Sequence, residues 1–106
     1  MAKTYVARFT PGQVIRHIGL GYRGIIFDVD ATYEQSDEWY ELMAVSRPSK
    51  HRPWYHILVD GQDHVTYVAE ENLVACDEEN DFEHPQLSEF FHPLTDGGLS
   101  SRQIFN

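Results

Sequence analysis

The strongest pattern in the chain is Trp54-Tyr55-His56-Ile57-Leu58-Val59-Asp60, aromatic and aliphatic almost throughout. Such a run predicts a β-strand. Gly61-Gln62 or Gly61-Gln62-Asp63 then supplies a short hairpin turn, and His64–Ala69 returns as the partner strand. Glu70-Glu71-Asn72 reads as a turn and Leu73–Cys76 as a last short strand. Upstream, Thr10-Pro11-Gly12 reads as a turn leading into a short strand over Val14–His17. Val14 and His17 do not share a strictly alternating face, so the pattern leaves the inward side of that strand open. Ile25-Ile26-Phe27-Asp28-Val29-Asp30 is again β-branched and strand-like.

Two segments break the strand pattern. Ser36 or Asp37 caps a helix of about two turns over Glu38–Val45, with Trp39, Leu42 and Met43 on one face. Arg47-Pro48 and Arg52-Pro53 close this excursion, because a residue before proline disfavours helix. After Cys76 the chain changes character. Residues 77–83 carry five acids in seven positions, the composition of a solvated linker. Pro85 then starts a short helix whose apolar face is Leu87, Phe90 and Phe91. Gly97-Gly98 and a polar end follow. The expected division is a β domain over residues 1–76 and an acidic linker and tail over 77–106.

Composition narrows this picture. With 106 residues, the chain is one domain that buries one modest core. Aromatic content of 13% favours a packed β structure over disorder. No apolar run is long enough to span a membrane and Met1–Tyr5 has no signal-peptide core. The single cysteine, Cys76, rules out an intrachain disulfide, and a cytoplasmic location is expected. The net charge of −9 is uneven: residues 1–58 hold seven Lys/Arg against six acids, whereas residues 59–106 hold Arg102 against eleven. The first half is therefore the one suited to an anion, and the second repels it.

Candidate chemistry is thin. Gly19-Leu20-Gly21-Tyr22-Arg23-Gly24 fits G-x-G-x-x-G but lacks the Lys-Ser/Thr ending of a phosphate loop, so it reads as a tight connection between strands. Asp28 and Asp30 share a strand face as an acid pair or cation site, yet two acids are too few ligands, and strand-end acids facing water explain them. Six histidines form neither H-x-x-x-H nor H-E-x-x-H, although His56 and His64 lie on hairpin partners. Cys76 sits among apolar and acidic neighbours, which oppose a thiolate. No catalytic residue, metal or cofactor is expected. The positive constellation is cations interleaved with aromatics: Arg16, His17, Tyr22 and Arg23 around the glycine turn, and Arg52, Trp54, Tyr55 and His56 opening the main strand. These suit DNA or protein partners through phosphate pairing and stacking.

Three blocks carry a resemblance. Val14-Ile15-Arg16-His17 with Gly21–Ile26 and Asp28-Val29-Asp30, then Pro53–Val59, then Thr66–Leu73, resemble in order the signature of the heat-shock protein HspQ family, also called the YccV-like or hemimethylated-DNA-binding domain. The resemblance spans about residues 9–76. It implies a mainly β fold: a small, strongly bent antiparallel sheet or SH3-like barrel, here with a short helical insert and a short C-terminal helix or tail. It also implies a non-enzymatic stress-response role, as an accessory factor in degradation of denatured or specific client proteins beside a Lon-type protease. The alternative it implies is recognition of hemimethylated origin DNA. Self-assembly, with a trimer among the forms of the family, comes with the same resemblance.

Overall fold

The computed structural model describes residues 6–78, 81–93 and 99–101. Met1–Tyr5, Glu79, the Gly97-Gly98 pair and the polar end from Arg102 lie outside the described residues. Five strands form one antiparallel sheet: β1 (Val14–His17), β2 (Arg23–Asp30), β3 (Trp54–Val59), β4 (Val65–Ala69) and β5 (Leu73–Ala75), in the order β4-β3-β2-β1-β5. Helix α1 (Asp37–Met43) lies between β2 and β3, and one turn of helix, α2 (Leu87–Phe90), follows the sheet. The strands β6 (Phe91–Pro93) and β7 (Leu99–Ser101) pair separately. The protein is mainly β, as its sequence pattern predicts.

The two edge strands are joined only by the 3₁₀ turn Glu70–Asn72. Four inter-strand gaps in a flat sheet span about 19 Å. The connection from Ala69 to Leu73 reaches at most about 14 Å. A flat sheet cannot meet that limit, so the sheet curls its edges toward each other. It does not close, since among the described residues no ladder joins β4 to β5.

Buried side chains fill both faces. Ile15, Ile26, Tyr55, Ile57, Val68 and Leu73 pack with Phe9 on one side. Val14, Ile25 and Leu58 pack with Phe91 on the other, flanked by Phe82, Leu87 and Phe90. The segment after β5 thus covers sheet residues that strand alternation turns away from the first core. Its backbone is also tied to the β3–β4 hairpin: Gly61 N–H donates to the Glu83 carbonyl (2.7 Å), and Glu83 N–H donates to Asp60 Oδ1 (2.8 Å).

Helix α1 begins where Ser36 Oγ accepts the Trp39 N–H at 3.0 Å, an N-cap. Its packing side differs from the one the apolar spacing predicts. Trp39 and Tyr40 turn inward onto Tyr33, Trp54 and Tyr67, with Ala44 buried just beyond the helix. Leu42 and Met43 are left exposed. Edge-to-face contacts among these rings, such as Tyr33 on Trp54 at 4.9 Å and Trp39 on Tyr67 at 5.6 Å, choose the helix face over aliphatic spacing.

Candidate functional site: an apolar groove beside the free sheet edge

Strand β4 has one ladder partner, β3, and among the described residues its other side is unpaired. Beside that edge lies a cavity of about 900 Å³. This is near the upper end of small-molecule pockets and large enough for several peptide side chains. The β1–β2 turn lines it with Ile18 and Leu20, the end of α1 and the residues just after it with Met43 and Val45, and β4 with Val65 and Tyr67. Leu20 is 77% exposed and Val45 90% exposed, far more than aliphatic side chains at a monomer surface require. Glu71 adds a carboxylate to the lining.

The turn that presents Ile18 and Leu20 is built locally. Gly21 takes φ +78°, open to glycine, and its N–H donates to the His17 carbonyl at 2.8 Å. His17 Nδ1 accepts the Leu20 N–H at 2.9 Å. Burial holds the His17 imidazole below its usual pKa, in the neutral form this hydrogen bond requires. Tyr22 packs at a tilt against the same ring, with centroids 5.2 Å apart, and shares a hydrogen bond with Thr66 of β4 at 2.8 Å, which fixes the turn against the edge strand. Burial raises the Tyr22 phenol, so it stays protonated.

The residues predicted from sequence fall into three places. His17, Tyr22, Trp54 and His56 line the groove. Trp54 is buried there, with its indole N–H on the Ser49 carbonyl at 2.9 Å. Arg16 and Arg23 meet elsewhere, against the acidic segment. Arg23 sends Nε and Nη2 to Asp60 Oδ2 at 3.0 and 2.6 Å, Nη1 to the Glu78 carbonyl, and lies 5.5 Å from the Phe82 ring. Arg16 reaches the Gly21 carbonyl at 2.8 Å and Glu78 Oε2 at 3.2 Å. Arg52 and Tyr55 meet at Glu70. Tyr55 is fully buried and its hydroxyl donates to Glu70 Oε1 at 2.6 Å, while Arg52 stands 3.9 Å from Oε2. Burial and the neighbouring Glu70 carboxylate push the Tyr55 phenol up to about 12. His56 and His64 do not face each other. His56 stands opposite Tyr67, and His64 is exposed at the turn beside Asp63.

Sequence reasoning missed the aliphatic lining of the groove. Its signal was present in Ile18 and Leu20, two large apolar residues placed inside a glycine-rich turn where nothing local buries them. Among the described residues, no helix is long and apolar enough to cross a membrane. A family model described as hemimethylated DNA-binding protein YccV like matches residues 7–98.

Proposed function

The chain belongs to the YccV-like family, and we propose that it works in the cytoplasm without catalysis, as an accessory factor in protein degradation. Its groove takes an extended apolar polypeptide segment of a client or of a Lon-type protease. The observation that carries this reading is the groove itself. Exposed aliphatic side chains offer apolar contacts, and the unpaired edge of β4 offers main-chain hydrogen bonds, the two components of β-strand addition. Glu71 and the net charge of −9 favour a segment with basic flanks. The cations point the same way. Arg16 and Arg23 already face Glu78 and Asp60, so they hold the acidic half of the chain before they hold any phosphate.

The test is fluorescence anisotropy of a labelled, unfolded apolar peptide with basic flanks, alongside retention on a purified Lon-type protease and the cleavage rate of a client. Leu20→Asp and Val45→Asp place charge in the groove at exposed positions. Each is expected to weaken peptide binding at least about tenfold, roughly the cost of burying one unpaired polar group. Unchanged binding in both variants rejects the groove, and no retention or rate change rejects the protease partner.

A second reading, recognition of hemimethylated DNA, is favoured by the description of the family. The Arg16–Glu78 pair is exposed, and exposed pairs contribute about 0–1 kcal/mol, so a phosphate can compete for Arg16. Binding by this route neutralises few phosphates and collapses as salt rises. Titration of hemimethylated against fully methylated duplex at low and physiological salt separates the readings. Equal, salt-insensitive binding to both contradicts DNA recognition.

A further inference from the structure

Strand β2 carries an irregularity with a chemical consequence. Ile26 pairs with Ile57, but the next pair is Asp28 with His56, so Phe27 is the extra residue of a β-bulge. In an unbroken ladder Asp28 would face Tyr55 and point to the other side. The bulge instead brings Asp28 and His56 to one face. Asp30 follows on that face opposite Trp54, and Tyr67 of β4 lies across from His56. Sequence spacing offers only two carboxylates here. The shifted register adds an imidazole.

One ligand atom from each of Asp28, Asp30 and His56 lies within 4.8 Å of the others. His56 Nε2 is 3.0 Å from Asp30 Oδ2. Two neighbouring ligands each about 2.1 Å from an ion, at right angles, stand about 3.0 Å apart. A second layer of contacts holds the set. The Tyr67 hydroxyl donates to Asp30 Oδ2 at 2.8 Å and itself accepts the Glu34 N–H at 3.1 Å. The Val29 N–H donates to Asp28 Oδ1 at 2.9 Å. Asp30 and His56 are half-buried and Asp28 is exposed, so the cluster is fixed on one side and open on the other.

We propose that Asp28, Asp30 and His56 bind a divalent transition-metal ion. Two carboxylates with one imidazole suit Zn²⁺, Co²⁺, Ni²⁺ or Mn²⁺, whereas Ca²⁺ and Mg²⁺ prefer oxygen ligands alone. Water completes the coordination on the open side. An ion takes the neutral imidazole through the Nε2 lone pair, so the ring carries its one proton on Nδ1 when the ion is bound, and the His56–Asp30 hydrogen bond gives way to a bond from each residue to the ion. Because His56 also lines the groove, the ion sits at its margin.

Asp28 separates this reading from a purely structural one, since the hydrogen bond of its side chain is to the adjacent backbone rather than to His56. The experiment is calorimetric titration of Zn²⁺ alone into the full chain, with the His56 ring nitrogens followed by NMR. One equivalent is expected to bind and to shift the His56 Nε2 resonance. Asp28→Asn should weaken binding by at least the about 10–100-fold typical of lost outer-layer contacts, with the apo melting temperature unchanged, and Tyr67→Phe by about tenfold. Two results overturn the proposal: no binding at millimolar Zn²⁺, or equal binding to wild type and Asp28→Asn, which places the ion on other histidines.

Discussion

At the scale of single residues, the buried polar groups set the terms. Glu70 is 3% exposed, and burying a carboxylate is costly unless it is paired. Here it accepts the Tyr55 hydroxyl and the Arg8 N–H at 2.6 and 2.7 Å, which joins the chain before β1 to the end of β4. His17 has the opposite requirement, because it accepts a hydrogen bond only when neutral. Burial lowers its pKa in the folded protein relative to the unfolded chain, where the ordinary value near 6.5 applies. Between those two values the unfolded chain binds more protons. Stability therefore falls as pH drops through this window, and the loss levels off below the folded pKa. His17→Asn keeps an acceptor for the Leu20 N–H and removes the titration. Urea denaturation between about pH 7.5 and about pH 5.5 should show a shallower decline for His17→Asn than for wild type. Parallel curves would mean that His17 titrates alike in both states.

At the scale of elements, the Ile57 side chain of β3 lies directly over Gly24 of β2. A Cβ added to Gly24 would stand 2.3 Å from Ile57 Cγ2 and 3.0 Å from the Leu58 carbonyl oxygen. Ile57 is fully buried and branched at Cβ, so it has no free rotamer into which to retreat. Gly24→Ala is expected to cost about 1–3 kcal/mol, read as a lower urea midpoint at constant slope. A change below about 0.5 kcal/mol would show that the ladder yields at this point. Close approach was one of two roles open to this glycine-rich stretch from sequence, and the two glycines divide them: Gly21 makes the turn and Gly24 the contact. The strands were legible for a similar reason. Trp54–Val59 and its return are runs rich in aromatic and β-branched residues around a turn residue, and pairing depends on such local information. The face of α1 was not legible, because Trp54 and Tyr67, which select it, lie 15 and 28 positions beyond Trp39. The Asp28–His56 pairing was hidden for a related reason, since spacing along one strand carries no information about a bulge relative to another.

At the scale of the whole molecule, the charge asymmetry acts as an internal fastening. The basic half supplies Arg16 and Arg23, and the acidic half supplies Asp60 and Glu78 to meet them. Those partners are 62 and 37 positions apart, so the sequence displayed the cations without the acids that occupy them. The same fastening brings an apolar segment home. Phe91 is 2% exposed, packs with Val14, Ile25 and Leu58, and lies beside Gly12. Composition alone describes residues 77–106 as a linker and tail, and the packing of Phe82, Leu87, Phe90 and Phe91 leads to a prediction about how far the sheet depends on them. Phe91→Ala is expected to cost about 3–5 kcal/mol through the cavity it opens, about a fifth or more of the stability of an ordinary domain of about 5–15 kcal/mol. A chain ending at Cys76 loses Phe82, Leu87, Phe90 and Phe91 together and leaves three buried sheet residues facing water. It should then lack a cooperative urea transition and bind a hydrophobic dye. If instead it unfolds cooperatively within about 1 kcal/mol of the full chain, the β domain is self-sufficient and the later residues are an appendage.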